Sequence, residues 1–280
     1  MKAVVVALGK VGLPLAVAIA RAGHEVVGCD IDAGVCEAVN AGTPPFPGEA
    51  GLEEALAEVV EAGRLKALQD TTEAVAGGPD LVLVVPPLVV EGDGRPDWRA
   101  LDAAIDAIGA GLRPGTTVTL ETTVPVGTTR GRVAPRLEEL SGLVAERDFH
   151  VAFSPERVYS GRVLADLGSY PKLVGGLSEA GEERAAELYA AFLPAEVRRM
   201  GSAEAAEMTK LVEATYRDVN IALANEFARF ADHAGIDVAK VIEAANSQPF
   251  SHVHSPGVAV GGHCTPVYPR FYLAGDPAAR

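Results

Sequence analysis

The chain has 280 residues, enough for two domains with a core each. Its 38 acidic residues against 24 lysines and arginines give a net charge of −14, which argues against nucleic acid or an anionic membrane as a partner. No apolar run reaches the roughly 18 residues of a membrane span. The three cysteines, Cys29, Cys36 and Cys264, lack metal-ligand spacing and, with no signal-peptide pattern ahead of them, suit a reducing cytoplasm.

The opening thirty residues carry the strongest local pattern. Lys2 to Ala7 is a β-branched run of the kind that fills a buried parallel strand. Leu8-Gly9-Lys10-Val11-Gly12 then turns it into a helix that tolerates Pro14 in its first turn and stops at Gly23. Glu25 to Asp30 is a second strand ending in a carboxylate. Strand, glycine turn, helix, strand and acid in this register form a dinucleotide-binding βαβ unit, with Ala7 standing where the first glycine of G-x-G-x-x-G is usual. Gly9, Lys10, Val11 and Gly12 would present backbone N–H groups to a pyrophosphate. Asp30, about 20 residues further on, would accept ribose hydroxyls and repel a 2′-phosphate, so the cofactor is expected to be NAD.

The α/β alternation continues. Helices are predicted at about Ala33 to Ala41 and Gly51 to Ala62, around a Pro-rich turn at Thr43 to Gly48. A short strand follows at Leu65 to Leu68, then a brief helix at Thr71 to Ala76 capped by Thr71. Asp80 to Val85 is a buried strand stopped by Pro86-Pro87, which places Pro86 at the ligand crevice. After a polar loop and a helix from Trp98 to Leu112 comes the strand Thr116 to Thr123. It leads to Val124-Pro125 and a helix opened by Gly127-Thr128-Thr129, with Thr128 or Thr129 as the expected N-cap. Strands at Asp148 to Phe153 and Lys172 to Gly176 and a helix at Glu179 to Phe192 complete a first domain, residues 1–201.

From Ser202 to Ala234 apolar residues recur at three and four spacing without a breaker, predicting one helix of about 30 residues and 45 Å. A helix at Val238 to Ala245 and a Gly/Pro/His-rich loop complete a second, helical domain, residues 202–280. The fold class is therefore α/β, a Rossmann-type doubly wound sheet followed by an all-α segment built on a long helix.

The loop ends in Gly261-Gly262-His263-Cys264-Thr265-Pro266. Glycines before a lone cysteine let substrate and backbone approach closely, and a thiolate is a competent nucleophile toward an aldehyde. Cys29 and Cys36, inside predicted elements, read instead as small core residues.

Taken in order, the motifs resemble the nucleotide-sugar 6-dehydrogenases, the UDP-glucose/GDP-mannose dehydrogenase family, and within it most the UDP-N-acetylmannosamine dehydrogenase branch. The carriers are Gly9 to Ala16, Asp30-Ile31-Asp32, Glu121 to Thr129, Ser154-Pro155-Glu156-Arg157-Val158, Lys172 to Gly176, Lys210 to Glu213, Arg217 to Ala222 and Gly261 to Cys264. The resemblance implies two successive NAD-dependent oxidations of a nucleotide-sugar CH₂OH to a carboxylate. It makes Cys264 the nucleophile that holds the intermediate, Lys210 the cation that stabilises its oxygen, and Glu156 and Thr123 the groups that place and activate water. It also implies a cytoplasmic homodimer joined through the long helix, as that helix's length suggests.

The departures from that family are clustered. Ala214 stands where the family carries Asn one turn after the lysine, Tyr268 replaces the Asp that follows Cys-x-Pro-x, and Phe250 replaces a loop arginine. The chain also ends at Arg280, without the family's C-terminal nucleotide-binding domain. Two other readings stay open. One is a remodelled or truncated relative that binds NAD and a nucleotide sugar without completing the four-electron oxidation. The other is a 3-hydroxyacid-type dehydrogenase, which shares the Rossmann start and a lysine on a long helix but has no use for the thiol.

Overall fold

The computed structural model describes residues 1–280 apart from Asp93, His263, Pro277, Ala279 and Arg280. It divides into two compact units: Met1–Leu88 with Asp97–Glu207, and Val89–Pro96 with Met208–Arg280.

The first unit opens with β1 (Lys2–Val6), α1 (Gly12–Arg21), β2 (Glu25–Cys29), α2 (Ala33–Asn40), α3 (Leu52–Glu61), β3 (Leu65–Leu68), α4 (Thr71–Ala76) and β4 (Leu81–Val84). The chain then forms a short ribbon of β5 (Val89–Val90) and β6 (Pro96–Asp97), in which Val89–Pro96 belongs to the second unit, and returns to the first with α5 (Arg99–Gly111), β7 (Thr117–Leu120), a π-helical turn at Thr129–Val133 and α6 (Ala134–Ser141). The unit continues with β8 (His150–Phe153), α7 (Val163–Asp166), β9 (Lys172–Gly176), α8 (Glu179–Ala190) and β10 (Val197–Arg199). The remaining helices are α9 (Ala203–Ala234), α10 (Val238–Asn246) and α11 (Tyr268–Gly275), and the division between units falls inside α9.

The eight-stranded sheet has the order β10-β9-β8-β7-β4-β1-β2-β3. From β3 to β8 every pairing is parallel, and this part follows the strand order of dinucleotide-binding folds. β9 runs antiparallel to β8, and β10 pairs parallel with β9. The central strands are buried along their length: Leu81 to Val84 of β4 and Thr117 to Leu120 of β7 are buried without exception. Cys29 and Cys36 are buried as expected, and burial pushes the Cys29 thiol up to about 12, which leaves it inert.

Three local expectations are corrected. Asp70, not Thr71, caps α4, its carboxylate accepting from Glu73 N at 2.9 Å. Neither Thr128 nor Thr129 caps the helix after β7. Thr128 Oγ1 turns to the Pro125 carbonyl, and the carboxylate of Glu207 accepts from Gly127 N at 2.6 Å, Thr129 N at 2.8 Å and Thr129 Oγ1 at 2.6 Å. A carboxylate beside these open N–H groups does what a local cap would, from 78 residues away. The ribbon β5–β6, α7, β10 and α11 lie outside the predicted elements, each too short or too irregular to show a period.

Candidate functional site

The turn between β1 and α1 is built for close backbone approach. Ala7 adopts φ +76°, the left-handed conformation a glycine would take there, and donates its N–H to the Cys29 carbonyl at 2.8 Å. A Cβ on Gly12 would fall 1.9 Å from the Ala7 carbonyl oxygen, so only glycine lets α1 sit this close to the strand. A Cβ on Gly9 would meet no protein atom within 4 Å, leaving open space above the turn. No side chain caps α1; Leu13 N is taken by the Gly9 carbonyl at 3.1 Å and Pro14 has no N–H, so a ligand would be met by the N–H groups of the turn just ahead of them. Asp30 is fixed by Leu8 N to Oδ2 at 2.8 Å and Asp32 N to Oδ1 at 3.1 Å, and each oxygen keeps a lone pair for a ribose hydroxyl. Pro86 is buried just past β4 and its carbonyl accepts Thr122 Oγ1 at 2.6 Å, which ties it to the segment carrying the buried Thr123. These residues suit the pyrophosphate and adenosine ribose of NAD.

Beyond the carboxyl ends of β7 and β8 lies a buried charge cluster. Lys172, the first residue of β9, places Nζ 2.6 Å from Glu121 Oε2, 3.0 Å from Glu156 Oε2 and 3.4 Å from the Pro155 carbonyl. Glu156 Oε1 accepts from Arg157 N at 2.6 Å and Val158 N at 3.1 Å, so donors hold both of its oxygens. The Tyr189 hydroxyl donates to Glu121 Oε1 and lies 3.1 Å from Thr119 Oγ1, and its ring centroid is 5.2 Å from Lys172 Nζ. Burial pushes Glu121 up to about 7 in spite of Lys172. Burial works against the charge of Lys172, but Glu121 and Glu156 together outweigh it and raise that group. Glu156 thus stands as a partner of an internal cation, a role its sequence setting after a proline did not reveal.

In the second unit, Lys210 is half-buried on α9, and Ala214 one turn later is 9% exposed. Cys264 is exposed. Its carbonyl accepts from Val267 N and Tyr268 N as the chain enters α11, and Lys210 Nζ lies 5.8 Å from the Tyr268 ring centroid. Tyr268 thus touches the Cys264 carbonyl through its backbone N–H and Lys210 through its ring. The preceding loop is pinned to α9: the His252 carbonyl accepts from Tyr216 and Asn220 side chains, His254 N donates to Asn220 Oδ1, and Gly257 N donates to Asn225 Oδ1. Asn220, which sequence reasoning left as a motif letter, anchors this loop from α9. Phe250 is 92% exposed, and His263 lies outside the described residues. Among the described residues no three His, Cys, Asp or Glu side chains group to hold a metal, and no helix is long and apolar enough to cross a membrane.

Residues 1–193 match the NAD binding domain of the UDP-glucose/GDP-mannose dehydrogenase family, and residues 204–276 match its central domain. The chain is 39% identical over 274 residues to a UDP-N-acetyl-D-mannosamine dehydrogenase of Pyrococcus horikoshii, covering 98% of this chain and 64% of that protein. It is 36% identical to the Escherichia coli K12 protein of the same name, covering 98% of this chain and 65% of that one. The solved structure of the P. horikoshii protein superposes with a TM-score of 0.93 at 38% identity, over 99% of this chain and 65% of that chain. A UDP-glucose dehydrogenase from Pyrobaculum islandicum gives a TM-score of 0.88 at 32% identity, over 98% and 63% of the two chains. The sequence thus spans just under two thirds of the length of these relatives.

Proposed function

Because this chain belongs to the UDP-glucose/GDP-mannose dehydrogenase family, we propose that it oxidises the CH₂OH group of a UDP-N-acetylhexosamine, or of a related UDP-hexose, to the carboxylate. Gly9 to Gly12, Asp30, Pro86 and Thr123 would hold NAD, which would supply the hydride acceptor, one molecule for each of the two oxidations. Cys264 Sγ adds to the aldehyde carbon and holds it as a thiohemiacetal, and after the second oxidation as a thioester. Lys210 neutralises the oxygen anion at that carbon, where a positioned charge is worth several kcal/mol. Glu156 and Thr123 place the water that attacks the thioester, and Glu156 takes its proton as the Cys264 thiolate leaves.

The observation that carries this reading is the exposed Cys264 thiol at the entry to α11, with the Lys210 ammonium over Tyr268 four residues on. UDP-N-acetyl-D-mannosamine, the sugar in the names of two relatives, is the first substrate to test. Incubated with it and NAD, then quenched in acid, the chain should gain the mass of the acylating sugar nucleotide on the Cys264 peptide. No adduct on that peptide during turnover would refute the covalent role.

The reading extends to a homodimer through α9. Its support is a stripe of Met208, Val212, Tyr216, Val219, Leu223, Phe227 and Phe230, each 37–74% exposed. Met208, Val219 and Phe230 recur every 11 residues, about 3.67 per turn and near the helical 3.6, so the stripe stays on one face of α9. Light scattering should give twice the chain mass, falling to the monomer in Phe227→Glu/Phe230→Glu. A reducing cytoplasm, which keeps Cys264 a thiol, belongs to the same reading.

Ala214 favours a second reading, a remodelled relative that binds both ligands and does not complete the oxidation. An alanine gives no hydrogen bond to the oxyanion beside Lys210. In that case NADH and sugar nucleotide bind, but no carboxylate forms.

A further inference from the structure

Two carboxyls, one ammonium and one phenol share the buried space between β7, β9 and α8, and the reaction proposed above uses only one of the four. Glu121 has a fully buried side chain and Lys172 is 5% exposed. Each contact in the chain from Tyr189 to Glu121 to Lys172 to Glu156 is a hydrogen bond, and the most exposed member is Glu156, whose side chain is 10% exposed. An ammonium this deep is not a surface charge seeking solvent. It is held on one side by Glu121, and on the other it fixes the oxygen of Glu156 that the backbone donors of Arg157 and Val158 do not hold.

We infer that Lys172 and Glu121 are positioning residues: Lys172 aims and anchors the Glu156 carboxylate, and Glu121, backed by Tyr189, sets how much of the Lys172 ammonium Glu156 receives. Its kinetic consequence rests on the oxidation proposed above, while its geometric content does not. With both carboxyls ionised the cluster carries one net negative charge; with one proton on Glu121 it is neutral. The groups facing Glu121 are Lys172 from β9, Tyr189 from α8 and, across the ammonium, Glu156, and burial brings the loss of its proton to about pH 7. Below that pH the Lys172 ammonium is committed to Glu156. Above it, an ionised Glu121 competes for the same ammonium while its proton passes to solvent.

The test combines steady-state kinetics with carboxyl ¹³C titration of glutamate-labelled chain. With UDP-N-acetyl-D-mannosamine and NAD, the kcat profile should bend near pH 7, and Glu121→Gln, which has the shape of the protonated acid, should remove that bend. Lys172→Met should lower kcat about 10-fold or more with KM for NAD within about twofold, and Lys172→Arg should restore most of it. A purely structural cluster would change stability and leave the pH profile of the folded protein unmoved, and that result overturns the inference. If the parent chain produces no NADH from any UDP-sugar, the proposed oxidation fails, and the titration decides the inference by itself. One carboxyl should then titrate near pH 7, vanish in Glu121→Gln and move upward in Lys172→Met or, should that variant not fold, change midpoint in Lys172→Arg. A Glu121 carboxyl that titrates like an exposed one, or a Glu156 resonance indifferent to every Lys172 substitution, overturns it.

Discussion

Gly9 and Gly12 sit three residues apart in one turn, and replacing each by alanine separates folding from cofactor binding. A Cβ on Gly12 would lie 1.9 Å from the Ala7 carbonyl oxygen, while real Cβ atoms essentially never come closer than 3.0 Å, so helix and turn would have to part by at least 1.1 Å. The obstacle is backbone, and α1 carries Leu13, Leu15, Ala16, Val17, Ile19 and Ala20 fully buried, so it cannot retreat without opening the core. Overpacking of this kind costs about 3 kcal/mol. Gly9 has open space around its missing Cβ and no positive φ. Gly9→Ala should therefore leave stability within about 0.5 kcal/mol. The new methyl stands where the pyrophosphate approaches, and NADH affinity should fall by about 10- to 100-fold, or 1.4–2.7 kcal/mol. Trp98, the single tryptophan, lies in the first unit and reports urea unfolding there, and NADH fluorescence reports binding. A Gly9→Ala chain that binds NADH like the parent, or a Gly12→Ala chain equally stable, would refute this account of the turn.

Ala7→Gly should relieve about 1 kcal/mol of left-handed strain and raise the melting temperature by about 2–4 °C, read by the same fluorescence. Glu207→Ala strips three donors at Gly127 and Thr129 of their acceptor and should cost about 3 kcal/mol in urea unfolding. Glu121 binds its proton more tightly folded, at about 7, than at its ordinary 4.5, so its contribution to stability is complete below 4.5 and lost as pH rises through 7. Denaturation series across that window should show stability falling by up to about 3 kcal/mol, and Glu121→Gln should flatten the fall. Ala214→Asn returns a hydrogen-bond donor one turn from Lys210 and should raise kcat by about 10-fold or more, measured as NADH formation.

What the sequence disclosed follows the range of each interaction. The glycine turn, Asp30 and the length of α9 are local patterns, and so was the burial of Cys29 within a strand. The Glu207 cap joins positions 78 residues apart, and the Lys172–Glu121 pair joins positions 51 apart, so neither leaves a period or motif spacing to read. A signal was nonetheless present for Lys172. A lysine opening the apolar run Leu173-Val174-Gly175-Gly176 and a glutamate following Val118-Thr119-Leu120 both fall at strand ends of a sheet covered by helices, where a buried charge requires a partner. β10 escaped because Val197-Arg198-Arg199 is a three-residue edge strand with two exposed arginines. α11 begins with Tyr268-Pro269 directly after the cysteine turn, and only the structure reveals that this turn continues as helix and brings Tyr268 to Lys210.

In the proposed reaction Cys264 holds one sugar through two oxidations. The most direct measurement counts NADH formed per UDP-N-acetyl-D-mannosamine consumed, in the parent chain and in Cys264→Ala. Covalent retention predicts about two NADH per sugar in the parent, and a variant that cannot pass the aldehyde stage. One NADH per sugar in both proteins, with aldehyde as the final product, would contradict it.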